Sequence, residues 1–318
     1  MKRSLGAILK LLVSVGLIWL FLRQIDLADV ERAARTAQPI YLMAAVLLFT
    51  VSNLLGAIQW GYLLRVQDIH LPARRVVSLY FVGVFFNNFL VSNIGGDAVR
   101  VYDLSRTTGK GSQSFAATFL DRFVGLFVLI LFSLVSFSVN PELWSPGIAI
   151  PMVSLVSALT GILVFGFSRR LSGWIVGMAE RFAPEKVVSL LQGVRDGFIA
   201  YRTEYGVIVR VLIVASGVQL TRVGVYYAVG HGMSLDIGFD HFLIFIPLIA
   251  IVAAIPISFG GIGVRENLGA ILFGRVGVDP AAALAMMFMG YLAGIIASLA
   301  GGVSFVLRRS ANPEKTDA

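Results

Sequence analysis

Six stretches of this chain, at residues 5–22, 40–64, 123–139, 148–167, 207–229 and 281–307, are predominantly apolar and close to the length of a membrane crossing. A helix needs about 20 such residues to traverse the hydrocarbon core of a bilayer. Only helices and closed barrels satisfy their own backbone polar groups there. The runs are continuous and do not alternate inward and outward, which argues against a barrel. Of the 318 residues, 57% are hydrophobic and only 14% charged, against about 25% charged in soluble domains. The expected fold class is an all-α polytopic membrane protein with about six full spans.

The net charge is +8. The basic residues lie in short segments between the apolar runs, as topology signals do, and no basic-aromatic stripe points to nucleic acid. The chain contains no cysteine, which excludes disulfides and thiolate metal sites. His70, His231 and His241 are scattered without metal-ligand spacing, so neither a metal nor a cofactor is expected. Met1-Lys2-Arg3 and the apolar run behind it have the outline of a signal peptide. Lys10 interrupts that run, and no small-x-small site follows before Arg23. A retained first span is therefore expected.

Lys and Arg favour the cytoplasmic side. By that rule both termini, the loop from Arg65 to Arg75 and the segment 169–206 face the cytoplasm of the inner membrane, while the loops around Glu142 and Asp236 face outward. Arg23, Arg32 and Arg35 fall outside under this scheme, a departure from the rule. Two further stretches, 76–122 and 242–279, must each return to the side from which they entered. Near each turn lies a Gly-Gly-x-x-Val-Arg pattern, Gly95-Gly96-Asp97-Ala98-Val99-Arg100 and Gly260-Gly261-Ile262-Gly263-Val264-Arg265. One copy is reached from inside and the other from outside, the signature of an inverted repeat with two re-entrant helical hairpins. The chain then forms one transmembrane domain, 1–318, with halves at about 1–168 and 207–309. The joining segment, 169–206, carries Val187, Leu191, Val194 and Phe198 at helical spacing. That pattern suits a helix lying on the membrane or a connector packed on the bundle.

Glycine permits the tight turn a re-entrant hairpin needs, and the freed backbone groups must face protein or a wet cavity. Amides at a half-helix N-terminus can hold an anion. Arg100 and Arg265 add planar forks suited to phosphate oxygens. Asn87, Asn88, Ser92, Asn93 and Ser258 offer neutral hydrogen-bonding groups. With Asp97, Asp121, Arg122, Gly263 and Glu266, these residues and the glycine pairs make a candidate lipid-headgroup site. A structural reading competes with it. The glycines also suit close helix packing, Arg100 has Asp97 and Asp103 within pairing range, Arg265 has Glu266, and Asp121-Arg122 suits an internal pair or a membrane-edge anchor. Charge inside a membrane span nevertheless points to function. No nucleotide-phosphate loop or nucleophile elbow occurs, and no catalytic residue is assigned.

The block Asn87-Asn88-Phe89-Leu90-Val91-Ser92-Asn93-Ile94-Gly95-Gly96-Asp97-Ala98-Val99-Arg100, with Asp121-Arg122-Phe123-Val124-Gly125-Leu126 and Pro256-Ile257-Ser258-Phe259-Gly260-Gly261-Ile262-Gly263-Val264-Arg265-Glu266, resembles the flippase-like transmembrane domain of the lysylphosphatidylglycerol synthase family. The similarity runs from about residue 5 to 308. In two-part synthases of that family a membrane domain moves aminoacylated phospholipid between leaflets, and a soluble domain attaches the amino acid. The resemblance implies flippase-like function. It argues against lysyl transfer by this chain alone, since the chain ends shortly after its last span.

The leading expectation is a flippase-like protein moving a phosphate-containing lipid between leaflets, either an aminoacyl-phospholipid or an isoprenoid-phosphate glycolipid. A scaffold for a separately encoded synthase or glycosyltransferase ranks second. Third is an integral-membrane transferase acting on a lipid-linked sugar or amino acid, with Asp97 or Asp121 as base or metal ligand.

Overall fold

A computed structural model describes residues 37–89, 95–139, 168–253 and 263–307, with 153, 154, 156, 157, 160 and 161 between them. The expected spans at 5–22 and, for the most part, 148–167 lie outside the described residues, as does the basic pair Arg308-Arg309. Among the described residues the structure is helical and has no strand. Its elements are α1 (Pro39–Val66), α2 (Ala73–Phe89), α3 (Gly95–Thr108), α4 (Gly111–Val139), α5 (Arg169–Phe182), α6 (Glu185–Ala200), a 3-10 turn (Tyr201–Thr203), α7 (Tyr205–Gly232), α8 (Phe239–Ala253), α9 (Val264–Gly274) and α10 (Pro280–Leu307).

Helices α1, α4, α7 and α10 are long and apolar enough to cross a bilayer. Each 28-residue helix, α1, α7 and α10, is about 42 Å long at 1.5 Å per residue. Pro39 opens α1, where its missing N–H would have had no helical partner anyway. Ile40, Met43, Leu47, Val51, Leu54 and Ile58 form an exposed stripe along α1 at steps of three and four. A soluble helix would turn that stripe inward; here the surrounding solvent is lipid. Helix α4 begins at Gly111, well before the expected span at 123, because Asp121 and Arg122 are paired inside the bundle and do not end the helix.

Two helical hairpins enter the bundle from opposite ends. In the first, Arg75 Nη2 donates to Thr107 Oγ1 at 3.1 Å, and the Gly96 amide donates to Asn87 Oδ1 at 2.8 Å. Helix α3 therefore runs back along α2. In the second, the Phe273 ring at the end of α9 lies 5.1 Å from Phe242 at the start of α8, so α9 runs back along α8. The α2–α3 mouth sits at the end where α1 finishes and α7 begins, marked by the Tyr201 hydroxyl on the Leu63 carbonyl at 2.9 Å. The α8–α9 mouth sits at the other end, where the Gln38 amide reaches the Gly232 carbonyl at 2.9 Å.

The packing pairs match when α1, α2, α3 and α4 are exchanged for α7, α8, α9 and α10. Helix α1 packs on α7, the most extensive pair. Then α2–α10 answers α8–α4, α3–α4 answers α9–α10, and α1–α10 answers α7–α4. One apolar core centres on Trp60, Leu63, Leu79, Leu104 and Phe123. Another centres on Val223, Phe242, Phe245, Phe273 and Met286.

The segment expected as one amphipathic stretch is two helices with different roles. Helix α6 packs on α4, with the Phe198 ring 5.5 Å from Phe119, and Gln67 Nε2 donates to the Gly197 carbonyl at 2.7 Å. The Phe198 end of its apolar face is thus used on the bundle, while Val187 near its start stays exposed. The exposed apolar stripe belongs to α5, at Trp174, Met178 and Phe182.

Gly96 is the closest point of the first hairpin. A Cβ there would collide with the carbonyl of Gly83 and the backbone of Asn87. Gly96→Ala is expected to lower thermal stability in detergent by about 1–3 kcal/mol, the usual range for overpacking. Gly177→Ala on α5, where a Cβ meets open space, should leave stability equal or slightly raised.

Candidate functional site

Four charged side chains from α3 and α4 form a closed ionic cluster. Arg100 Nη2 meets Asp97 Oδ1 at 2.5 Å, its Nη1 reaches Asp121 Oδ2 at 3.3 Å, and Arg122 Nε donates to Asp97 Oδ2. Asp97, Arg100 and Asp121 are only 6%, 4% and 7% exposed, so their charges depend on one another. Gln59 Nε2 donates to Asp121 Oδ1 at 2.9 Å, and Asn87 Nδ2 approaches Asp97 Oδ1 at 3.5 Å. The Arg100 guanidinium also lies over two aromatic faces, Trp60 at 5.0 Å and Tyr80 at 4.7 Å. Cation–π contact adds to ion pairing at such a site.

Beside this cluster is a cavity of about 230 Å³ whose wall draws on both halves of the bundle. Asn53, Asn87, Asn88, Arg100, Asp121 and Arg122 come from the first half; Gln219, Arg222, Arg265 and Tyr291 come from the second. The two motif arginines thus share one cavity. Arg265 lies over the Tyr291 ring at 4.4 Å, and the Tyr291 hydroxyl donates to the Asn88 carbonyl at 3.4 Å. Arg222 Nε donates to Ser52 Oγ at 3.0 Å.

Among the sequence candidates, Asn87, Asn88, Arg100, Asp121, Arg122 and Arg265 line the cavity. Gly95 and Gly96 open α3, and Asp97 sits behind Arg100. Gly263 has φ +82° and starts α9, with its amide donating to Glu266 Oε2 at 2.6 Å. Glu266 therefore caps its own helix. The expectation that motif amides are free to hold an anion fails at two of them, since Asn87 takes the Gly96 amide and Glu266 takes that of Gly263. Ser92, Asn93, Ser258, Gly260 and Gly261 lie outside the described residues.

The glycine motifs draw attention away from Arg222, which stands alone inside an apolar span. Its isolation was the available signal. Gln59, Asn53, Tyr80 and Gln219 carry no such signal, because a single amide or phenol in a span is common in helix packing. Among the described residues no cluster of three or more potential ligands could hold a metal ion.

The long apolar helices, the lipid-facing stripes and the polar cavity inside them define a polytopic helical membrane protein. Over residues 7–302 the chain matches the family described as the lysylphosphatidylglycerol synthase TM region, and it belongs to that family. It is similar to a UPF0104 membrane protein of Methanothermobacter thermautotrophicus, 26% identical over 305 residues, 88% of each chain. A UPF0104 membrane protein of Pyrococcus horikoshii is 23% identical over 335 residues, 97% of this chain and 98% of that one.

Removing Arg100 leaves the buried Asp121 without a cation and Asp97 with Arg122 alone. Arg100→Ala is expected to destabilise the protein by about 3–5 kcal/mol, the range for breaking a buried pair. Its thermal unfolding in detergent, compared with that of the Arg100→Ala/Asp121→Asn double variant, checks the cause. Neutralising the stranded acid should recover much of the loss.

Proposed function

We propose that the chain is a flippase-like protein that moves a phosphate-containing lipid between the leaflets of the cytoplasmic membrane. The observation that carries this reading is the shared cavity, a partly open space lined by polar and apolar groups, with four arginines from both halves in its wall. Cations gathered around a cavity inside an apolar bundle suit an anionic headgroup. The apolar helices around them suit the tails.

The matched packing pairs support an inverted repeat. The α2–α3 and α8–α9 hairpins are read as re-entrant elements: α9, with 11 residues between its caps, is about 16 Å long and too short for a hydrocarbon core of about 30 Å. Arg65, Arg74, Arg75, Arg106 and Lys110 lie at the first hairpin's mouth, which orients that end toward the cytoplasm by the charge rule. Alternating exposure then comes from rocking of the two halves around the cavity.

The test is leaflet exchange in liposomes containing the purified protein and fluorescent phosphatidylglycerol, phosphatidylcholine or a polyprenyl-phosphate glycolipid. Dithionite quenching should show faster exchange of at least one anionic lipid, with the rate reduced in Arg265→Gln. Exchange equal to that of empty liposomes across the panel would end the transport reading. The exposed apolar stripe of α5 favours a second reading, a scaffold for a separately encoded synthase. Co-purification with such an enzyme, together with no exchange, would select it.

A further inference from the structure

Within the cavity the arginines are not equivalent. Arg100 is held by Asp97 and Asp121, and Arg122 by Asp97. Arg222 meets a neutral hydroxyl, Ser52 Oγ, and among the described residues no carboxylate comes within ion-pair distance of it. Residues 90–94 and 254–262, outside the described residues, contain no Asp or Glu. Of the neighbouring acids, Asp121 takes Arg100 and Gln59, and Glu266 turns Oε2 to the Gly263 amide while its buried Oε1 has no hydrogen-bond partner among the described residues. A guanidinium inside an apolar bundle calls for an anion.

Beside Ser52 on α1 stands Asn53. It is fully buried and lines the same cavity. Neither its amide nitrogen nor its amide oxygen has a hydrogen-bond partner among the described residues. Buried amides are ordinarily paired, so a side chain that faces the cavity with both atoms unused is set for a ligand. Arg222 and Asn53 are brought together through Ser52, across the α1–α7 pair.

The wall carries Arg100, Arg122, Arg222 and Arg265, and among the described residues the acids paired with or next to these arginines are Asp97, Asp121 and Glu266. Four positive charges less three negative leave an excess of one. A phosphodiester carries one negative charge and cancels it. A zwitterionic headgroup leaves the excess in place, and a phosphomonoester or pyrophosphate overshoots it.

We infer that Arg222 and Asn53 form the seat for the phosphate oxygens, and that the seat selects a singly charged phosphodiester headgroup. This rests on the lipid-transport reading and adds the contact residues and the charge class. Arg100 is a positioning residue that fixes the wall.

The experiment is calorimetric titration of the full chain in detergent with dihexanoyl phosphatidylglycerol, dihexanoyl phosphatidylcholine, dihexanoyl phosphatidic acid and sn-glycerol 3-phosphate. Phosphatidylglycerol should bind at least about tenfold more tightly than the other three, as loss of a charge-assisted contact implies. Arg222→Gln should erase that preference, Arg222→Lys should keep part of it, and Asn53→Ala should weaken phosphatidylglycerol binding several-fold. Thermal unfolding checks that each variant is folded, and Arg222→Lys with Asn53→Ala serves where Arg222→Gln does not fold. Unchanged phosphatidylglycerol binding in folded Arg222→Gln, or unchanged binding in both substitutes, overturns the seat. Equal binding of phosphatidylcholine or phosphatidic acid by the unaltered protein overturns the charge class. Equal binding of glycerol 3-phosphate, a phosphomonoester without tails, overturns both the charge class and the lipid as its source. Selective binding without leaflet exchange removes the transport reading and leaves the seat; exchange without Arg222-dependent binding removes the seat alone.

Discussion

A guanidinium buried in an apolar bundle must have its charge answered, and the first half of this protein is arranged around that requirement. Arg100 points from α3 into a space where Asp97 and Asp121 accept it and Trp60 and Tyr80 cover its faces. These contacts join α3 to α1, α2 and α4 at one point. Gln59 then holds Asp121 from α1, and Arg122 holds Asp97 from α4. Such a network stands or falls together, because each member's charge is tolerable only beside the others. It also sets one wall of the cavity, so the same contacts that hold the hairpin shape the space next to it.

The two glycine motifs share a pattern and differ in wiring. In the first, the acid precedes the arginine by one helical turn and meets it directly, Asp97 to Arg100. In the second, the acid follows the arginine and turns back to cap α9, Glu266 to the Gly263 amide. Arg265 is therefore set against the face of Tyr291, a softer electrostatic partner than a carboxylate. One copy is a closed ionic joint, while in the other an aromatic ring lies under the cation. The copies are alike in placing a guanidinium on the cavity and unlike in the use made of the neighbouring acid.

The spans were legible because length and apolarity are one-dimensional properties. Expected boundaries at 40–64, 207–229 and 281–307 fall within two or three residues of α1, α7 and α10. The return of each hairpin followed from counting basic loops. Pairing was not legible. Adjacent Asp121 and Arg122 suggest one another, yet they point to different partners, because neighbouring side chains on a helix diverge by about 100°. Arg100 was offered Asp97 and Asp103 by spacing alone, and the bundle adds Asp121 from another helix. The periodicity of α6 was visible, but a periodic face does not say whether it meets lipid or protein. Phe198 meets Phe119 of α4, while the Trp174, Met178 and Phe182 stripe of α5 is the face left exposed.

The exchange of α1 through α4 for α7 through α10 has a consequence for the cavity. The hairpins approach from opposite ends, so under the transport reading each would close the cavity toward one end only. Helices α1 and α7 exchange with each other and form the central pair, and Asn53 and Arg222 lie near the midpoints of these two helices. Residues at such a midpoint keep nearly the same depth whichever hairpin moves. For a transporter that rocks between two openings, a charge at fixed depth is the part that need not move, and the ligand meets the same guanidinium from either side. A charge on a hairpin tip would travel with the gate and hold the ligand more firmly in one state than in the other. Arg100 and Arg265 sit on hairpin helices and Arg222 sits on the central pair, so under the transport reading Arg222 is the cation whose depth changes least and whose contact with an anion is the same from either side.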